Sequence, residues 1–119
     1  MIHDYLQFRD RFADALDPAW ETIEGLDHRV GEGAVQLWVK GDTALATEWR
    51  LMGMGPVLFG IVCVGDLDVL THDIQPKLEQ YVRENGGKAI AFCGREGWGR
   101  VMAGHGYKVK QVIALKEIT

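Results

Sequence analysis

Near the start of the chain, Tyr5, Phe8, Phe12 and Ala15/Leu16 recur at intervals of three and four, with charged residues between them. That spacing puts one apolar stripe on a helix and predicts an amphipathic helix from Asp4 to about Leu16. Asp17-Pro18 then resets the chain, since Asp17 suits an N-cap and Pro18 the first helical position. A short second helix is expected there, with Trp20 and Ile23 facing inward and Gly25 ending it. Over 34–40 the period shortens to two: Val35, Leu37 and Val39 alternate with Gln36, Trp38 and Lys40, as in a half-buried strand. Gly41-Asp42 predicts a hairpin turn, and 43–51 a returning strand with Ala44, Ala46, Glu48 and Arg50 on one face.

"MGMGP" interrupts this pattern, and "VLFGIVCV" (57–64) follows, apolar on both faces. Two-sided apolarity predicts a central strand covered by helices. Leu70, Ile74, Leu78, Tyr81 and Val82 return to helical spacing, with Gly86 or Gly87 as the stop. Pro76 cannot sit deep in a helix, so the regular helix is expected from about Asp73, after a looser turn over 67–72. "KAIAFC" (88–93) reads as another buried strand. "YKVKQVIALKEI" (107–118) reads as a long final strand, with Tyr107, Val109, Ile113 and Leu115 on one face. Lys108, Lys110 and Lys116 look like protection of its edge, and a monomer or a homodimer through that edge are both compatible. The predicted order is α-α-β-β-β-α-β-α-β. Its crossover should set 57–64 and 88–93 parallel and side by side.

Between the last two strands lies "CGREGWGRVMAGHGYK" (93–108), with five of the fifteen glycines. Gly94, Gly97 and Gly99 spell G-x-x-G-x-G, a spacing that can cradle phosphate. Here it reads better as the exit from a buried strand. Gly94 turns the chain, and Gly97 and Gly99 let a short helix lie close to the sheet. Trp98 is expected in the core, Arg95 and Arg100 outward or at a cleft mouth, and Gly104 and Gly106 at the helix end.

The chain has 119 residues, enough for one domain with one compact core. Its formal net charge of −4 argues against general nucleic-acid binding, where phosphate contacts dominate affinity. The charge is uneven: residues 1–87 carry 7 basic and 15 acidic side chains, residues 88–119 carry 6 and 2. The last third is therefore either an anion-facing surface or an outer strand with solvated lysines. The longest apolar stretch, 56–64, is about half of what a membrane span needs, and the charged N-terminus lacks a signal-peptide core. A cytoplasmic protein without a membrane partner is expected. Cys63 and Cys93 sit in apolar, strand-like runs and read as buried thiols. The four histidines share no ligand spacing and no C-x-x-C occurs, so no metal site is expected. Of the four tryptophans, Trp38 and Trp49 are candidate exposed anchors for a partner protein.

"TEWR" in a strand, "VGDLDVL" at the next strand's end, "VRENGGKAIAFCGREGWGRVMAGHGY" and the terminal "ALKEI" resemble the GNAT superfamily of N-acetyltransferases. The likeness covers roughly 34–118 and is closest to small GNAT-like proteins of tailed phages and prophages. It implies a single GNAT-like α/β (α+β) domain over 1–119: a mixed, mostly antiparallel sheet with a central parallel β-α-β pair and helices on both faces. It also implies that acetyl-CoA or CoA, if bound, would lie along 57–64 and reach Cys63, Val64, Gly65 and Asp66. Active members wrap the pyrophosphate there with a Q/R-x-x-G-x-G/A loop, whereas this chain reads "GDLDVLTHDI". Gly65 is its one glycine, and Asp66 and Asp68 would repel a polyanion; either can instead cap the following turn. The G-x-x-G-x-G at Gly94 lies too late in the chain for that loop.

A tyrosine four residues before the glycine of the final "GY" often serves as general acid in the family, and here that position is Met102. Two other residues are catalytic candidates. Glu48, a strand carboxylate, can act as general base or pair with Arg50. His105 can do acid–base work or be a surface residue at a helix end. Three functions follow from the resemblance. The leading one is a phage-type GNAT-like protein with degenerate acyl-CoA motifs that binds a host or virion protein, in the host cytoplasm. The others are an acetyl-CoA-dependent N-acetyltransferase acting on an amine and a virion or assembly component.

Overall fold

The computed structural model describes residues 2–94, 98–111 and 113–118. Helix α1 (Ile2–Ala15) forms over the predicted stripe, burying Tyr5, Phe8 and Phe12 and exposing Asp10 and Arg11 between them. The second helix does not start at Pro18. Asp17 instead closes a single turn, accepting from the Ala19 N–H at 3.0 Å, and α2 (Ile23–Gly31) begins five residues later. Thr22 is its N-cap, its hydroxyl accepting from the Gly25 N–H at 3.1 Å, so Gly25 opens this helix and does not end it. The helices are tied by Asp27, which accepts from the Tyr5 hydroxyl at 2.6 Å and from Arg9 Nε and NH2 at 2.9 and 2.7 Å.

Strands β1 (Val35–Lys40), β2 (Thr43–Met52) and β3 (Gly55–Val64) form an antiparallel meander, with a register shift between Ala46 and Thr47. After β3 come a single turn α3 (Leu67–Val69), a π-helical turn (Leu70–Ile74) and α4 (Gln75–Glu84), with Pro76 in the first turn of α4. This crossover returns the chain to β4 (Ala89–Phe92), which lies parallel to β3 from Val57↔Ala89 to Gly60↔Phe92. The molecule is thus α+β with a four-stranded mixed sheet in the order β1-β2-β3-β4. Among the described residues the parallel pair stands at one end of that sheet.

Alternation along β2 sorts two cores. Ala44 and Ala46 face α1 and α2 and join Tyr5, Phe8, Phe12, Leu26 and Val30. Leu45 faces the other way and joins Leu58, Leu70, Ile74, Leu78 and Val82 beneath α4. Trp38 and Trp49 belong to this second face. Each packs against the Tyr81 ring, and Trp38 Nε1 donates to the buried Thr47 hydroxyl at 2.9 Å. The exposed-anchor expectation for these two tryptophans is therefore corrected: the α4 face supplies the aromatic partner that the strand pattern could not reveal.

Helix α5 (Trp98–Ala103) follows β4 and ends at Gly104-His105-Gly106, with Gly106 at φ +87°. The expected strand over 107–118 does not form among the described residues. The Tyr107 hydroxyl donates to Gln75 Oε1 at 2.9 Å, and beyond it the described residues are exposed coil. Cys93 is exposed, not buried, because β4 ends one residue before it; Cys63 is half-buried, and both thiols are free. The expectations for Arg95 and Gly97 lie outside the described residues.

Candidate functional site

Beyond Gly60 and Phe92 the two parallel strands part. β3 continues through Ile61–Val64, held on one side by β2 and without a strand partner on the other among the described residues. A cleft of about 430 Å³ opens beside this edge. It is roofed by the 17–21 turn and lined by Trp20, Arg50, Phe59, Cys63, Phe92 and Trp98. The turn at Asp17 throws Trp20 outward, leaving it 52% exposed on the rim, where the sequence pattern had placed it inside. Trp98 packs on the Phe92 ring, with centroids 6.1 Å apart, and leans on Gly94.

Arg50 and Glu21 reach the cleft, and a chain of charged groups behind its wall links them through Glu48 and Arg29. Arg50 lies with its guanidinium 3.6 Å from the Phe59 ring centroid, and its Nε and NH2 donate to Glu48 Oε1 at 2.9 and 2.8 Å. The other Glu48 oxygen, Oε2, is 3.0 Å from Arg29 Nε, and Arg29 NH2 is 2.6 Å from Glu21 Oε1. Both oxygens of Glu48 thus face guanidinium groups, and its side chain is 13% exposed. Same-face spacing anticipates the Glu48–Arg50 pair. Arg29 and Glu21 come from another helix and turn, and no local signal marks them.

The residues expected along an acyl-CoA path are also placed. Burial pushes the Cys63 thiol up to about 11, which disfavours its thiolate at neutral pH. Val64 packs against the α1-side core. Gly65 has φ +108°, and a Cβ there would stand 2.6 Å from Thr43 Cα. The Asp66 N–H donates to Thr43 Oγ1 at 2.9 Å, and Asp66 Oδ1 accepts from the Asp68 N–H at 2.8 Å. The Asp66 carbonyl accepts from the Leu70 N–H at 3.1 Å. Asp66 therefore caps the turn after β3. The N–H groups of Asp68 and Leu70 have partners within the loop, that of Asp66 is taken by Thr43 of β2, and a carboxylate stands at the loop's mouth. These residues do not fit the pyrophosphate of CoA.

His105 lies elsewhere. It is exposed at the end of α5 with its ring 6.4 Å from that of His72, and it lines a separate groove with Gln75 and Glu79. Glu48 and His105 are thus not brought into one constellation. No group of three or more His, Cys, Asp or Glu able to hold a metal ion occurs among the described residues, and no helix of these is long and apolar enough to cross a membrane. Comparison with protein-family models, with curated proteins and with solved structures finds no match.

Proposed function

We propose that this chain is a GNAT-like binding protein of phage type that engages a host or virion protein through the cleft between β3 and β4, without acyl transfer. The observation carrying this reading is the loop after β3. Its N–H groups at Asp66, Asp68 and Leu70 are taken by Thr43 Oγ1, Asp66 Oδ1 and the Asp66 carbonyl, and the carboxylates of Asp66 and Asp68 oppose a CoA pyrophosphate there. The cleft itself suits a polypeptide segment. The Ile61–Val64 edge can accept an added strand, and Trp20, Phe59, Phe92 and Trp98 surround it with aromatic surface of the kind that anchors partners.

Calorimetry and thermal shift with acetyl-CoA and CoA test the point. Millimolar cofactor is expected to give no heat and no change in melting temperature, and a saturable shift of several degrees overturns the reading. Affinity capture from host lysate is expected to retain one partner on the wild-type protein and to lose it on Trp20→Ala. Equal capture by both removes the cleft from the interaction.

The divergence of β3 and β4 favours a second reading, acetyl-CoA-dependent N-acetylation of an amine, since a parting parallel pair is where that family seats its acyl chain. Under it, Glu48→Gln abolishes acetyl transfer. Under the binding reading no transfer exists to be lost.

A further inference from the structure

The crossover after β3 and the loop after α5 bring two histidines together. The π-helical turn (Leu70–Ile74) buries Leu70, Thr71 and Ile74 and leaves His72 exposed. The loop that ends α5 is pinned against this turn. The His105 N–H donates to the carbonyl of buried Met102 at 2.9 Å, and the Tyr107 hydroxyl donates to Gln75, the residue that follows the π-helical turn. His105, also exposed, is thereby held beside His72, with ring centroids 6.4 Å apart and the rings nearly perpendicular, at 85°. The two come from distant parts of the chain, so no ligand spacing in the sequence marks them. His72 is also oriented as a ligand would be. Its Nδ1 lies 2.9 Å from the Asp68 carbonyl and 3.2 Å from Thr71 Oγ1. A carbonyl can only accept, so Nδ1 carries the proton of the neutral ring and Nε2 keeps its lone pair. Metal-bound histidines generally have this support, a ring N–H held by a backbone carbonyl, because it fixes both the tautomer and the direction of the ring.

We propose that His72 and His105 form a two-histidine site for a divalent transition-metal ion of the zinc, nickel and copper class, which ties the end of α5 to the turn after β3. Imidazole nitrogen suits these ions, whereas magnesium and calcium take oxygen ligands. Two imidazoles on one tetrahedral ion, with bonds of about 2.0–2.1 Å, have ring centroids about 5 Å apart. The two rings must therefore approach by about 1 Å, which exposed side chains do by small rotations about their own bonds. No third His, Cys, Asp or Glu joins them among the described residues, so water fills the remaining coordination positions. Neither histidine lines the cleft between β3 and β4, and the site does not depend on what that cleft binds.

Titration calorimetry of the chelator-stripped protein with zinc chloride and with nickel chloride tests the site. One ion per chain is expected to bind with a dissociation constant on the order of 10 µM, weaker than sites with three or four protein ligands give. Saturating zinc should raise the melting temperature by several degrees, since the folded chain alone holds both ligands in place. His72→Gln and His105→Gln are each expected to weaken binding by about 10-fold or more. Both residues are exposed, so the circular dichroism of these variants should match the wild type. His28→Gln is the control, because His28 and Glu32, 2.6 Å apart, form a second surface pair able to hold an ion by itself. Affinity unchanged in either the His72 or the His105 variant overturns the proposal, as does binding that is lost in His28→Gln or absent at about 1 mM zinc. A readout on the wild-type protein needs no variant: substoichiometric nickel is expected to broaden the ring proton resonances of His72 and His105 together. Broadening confined to His3 or His28 overturns the proposal too.

Discussion

Asp27 joins the first two helices through side-chain hydrogen bonds from Tyr5 and Arg9, and its acidity reports on that contact. The fork of Arg9 holds the carboxyl below its usual range; burial opposes this, and the Tyr5 hydroxyl adds to the lowering. A carboxyl whose folded value is lowered stabilises the fold fully above its unfolded value, about 3.9, and loses that contribution as pH falls through the folded value. The urea midpoint of the wild-type protein is therefore expected to fall more steeply between pH 5 and pH 2 than that of Asp27→Asn. Equal slopes would mean that the contact does not couple to folding. None of this was legible beforehand, because Tyr5 and Arg9 lie 22 and 18 residues from Asp27 and meet it only when two helices dock. The Glu48–Arg50 pair was legible, since a separation of two on a strand puts both on one face. The role of Arg29 between Glu48 and Glu21 was not.

Among the elements, α2 is the clearest displacement from expectation. Asp17-Pro18 has the residues of a helix start, but its bonds close only one turn, while Thr22 provides the cap that is used. The choice is made by burial: a helix over 23–31 places Leu26 and Val30 in the core, whereas one over 18–25 would have buried Trp20. Thr22→Ala is expected to lower stability by about 1 kcal/mol in urea denaturation. Asp17→Ala, at a turn outside any helix, is expected to cost a few tenths of that. Reversal of this order would restore Asp17 as the helix cap. Elsewhere local rules sufficed. Pro76 stands in the first turn of α4, as its missing N–H demands, and the hairpin at Gly41-Asp42 has Gly41 at φ +58°.

At the scale of the whole molecule, β2 and β3 are shared by both cores, so neither face can be lost while the sheet remains intact. Phe12→Ala on the α1 side and Leu70→Ala on the α4 side are expected to destabilise by about 4 and about 3 kcal/mol respectively. Both side chains are fully buried. In each variant, far-UV circular dichroism and the fluorescence of Trp38 and Trp49 should report one coincident transition. Separate transitions would show that the two faces fold independently. The sequence by itself determined the α1 stripe, the antiparallel meander, the crossover to a parallel strand and the mismatch of the loop after β3 with phosphate. These follow from periodicity, turn residues and charge within a few positions. Tertiary structure alone decided which helix Trp20 escapes, that Trp38 and Trp49 share Tyr81, that two arginines face Glu48, and that the described residues beyond Tyr107 form no strand. Each of these turns on which distant surface reaches a residue first, and spacing along a chain does not encode that competition.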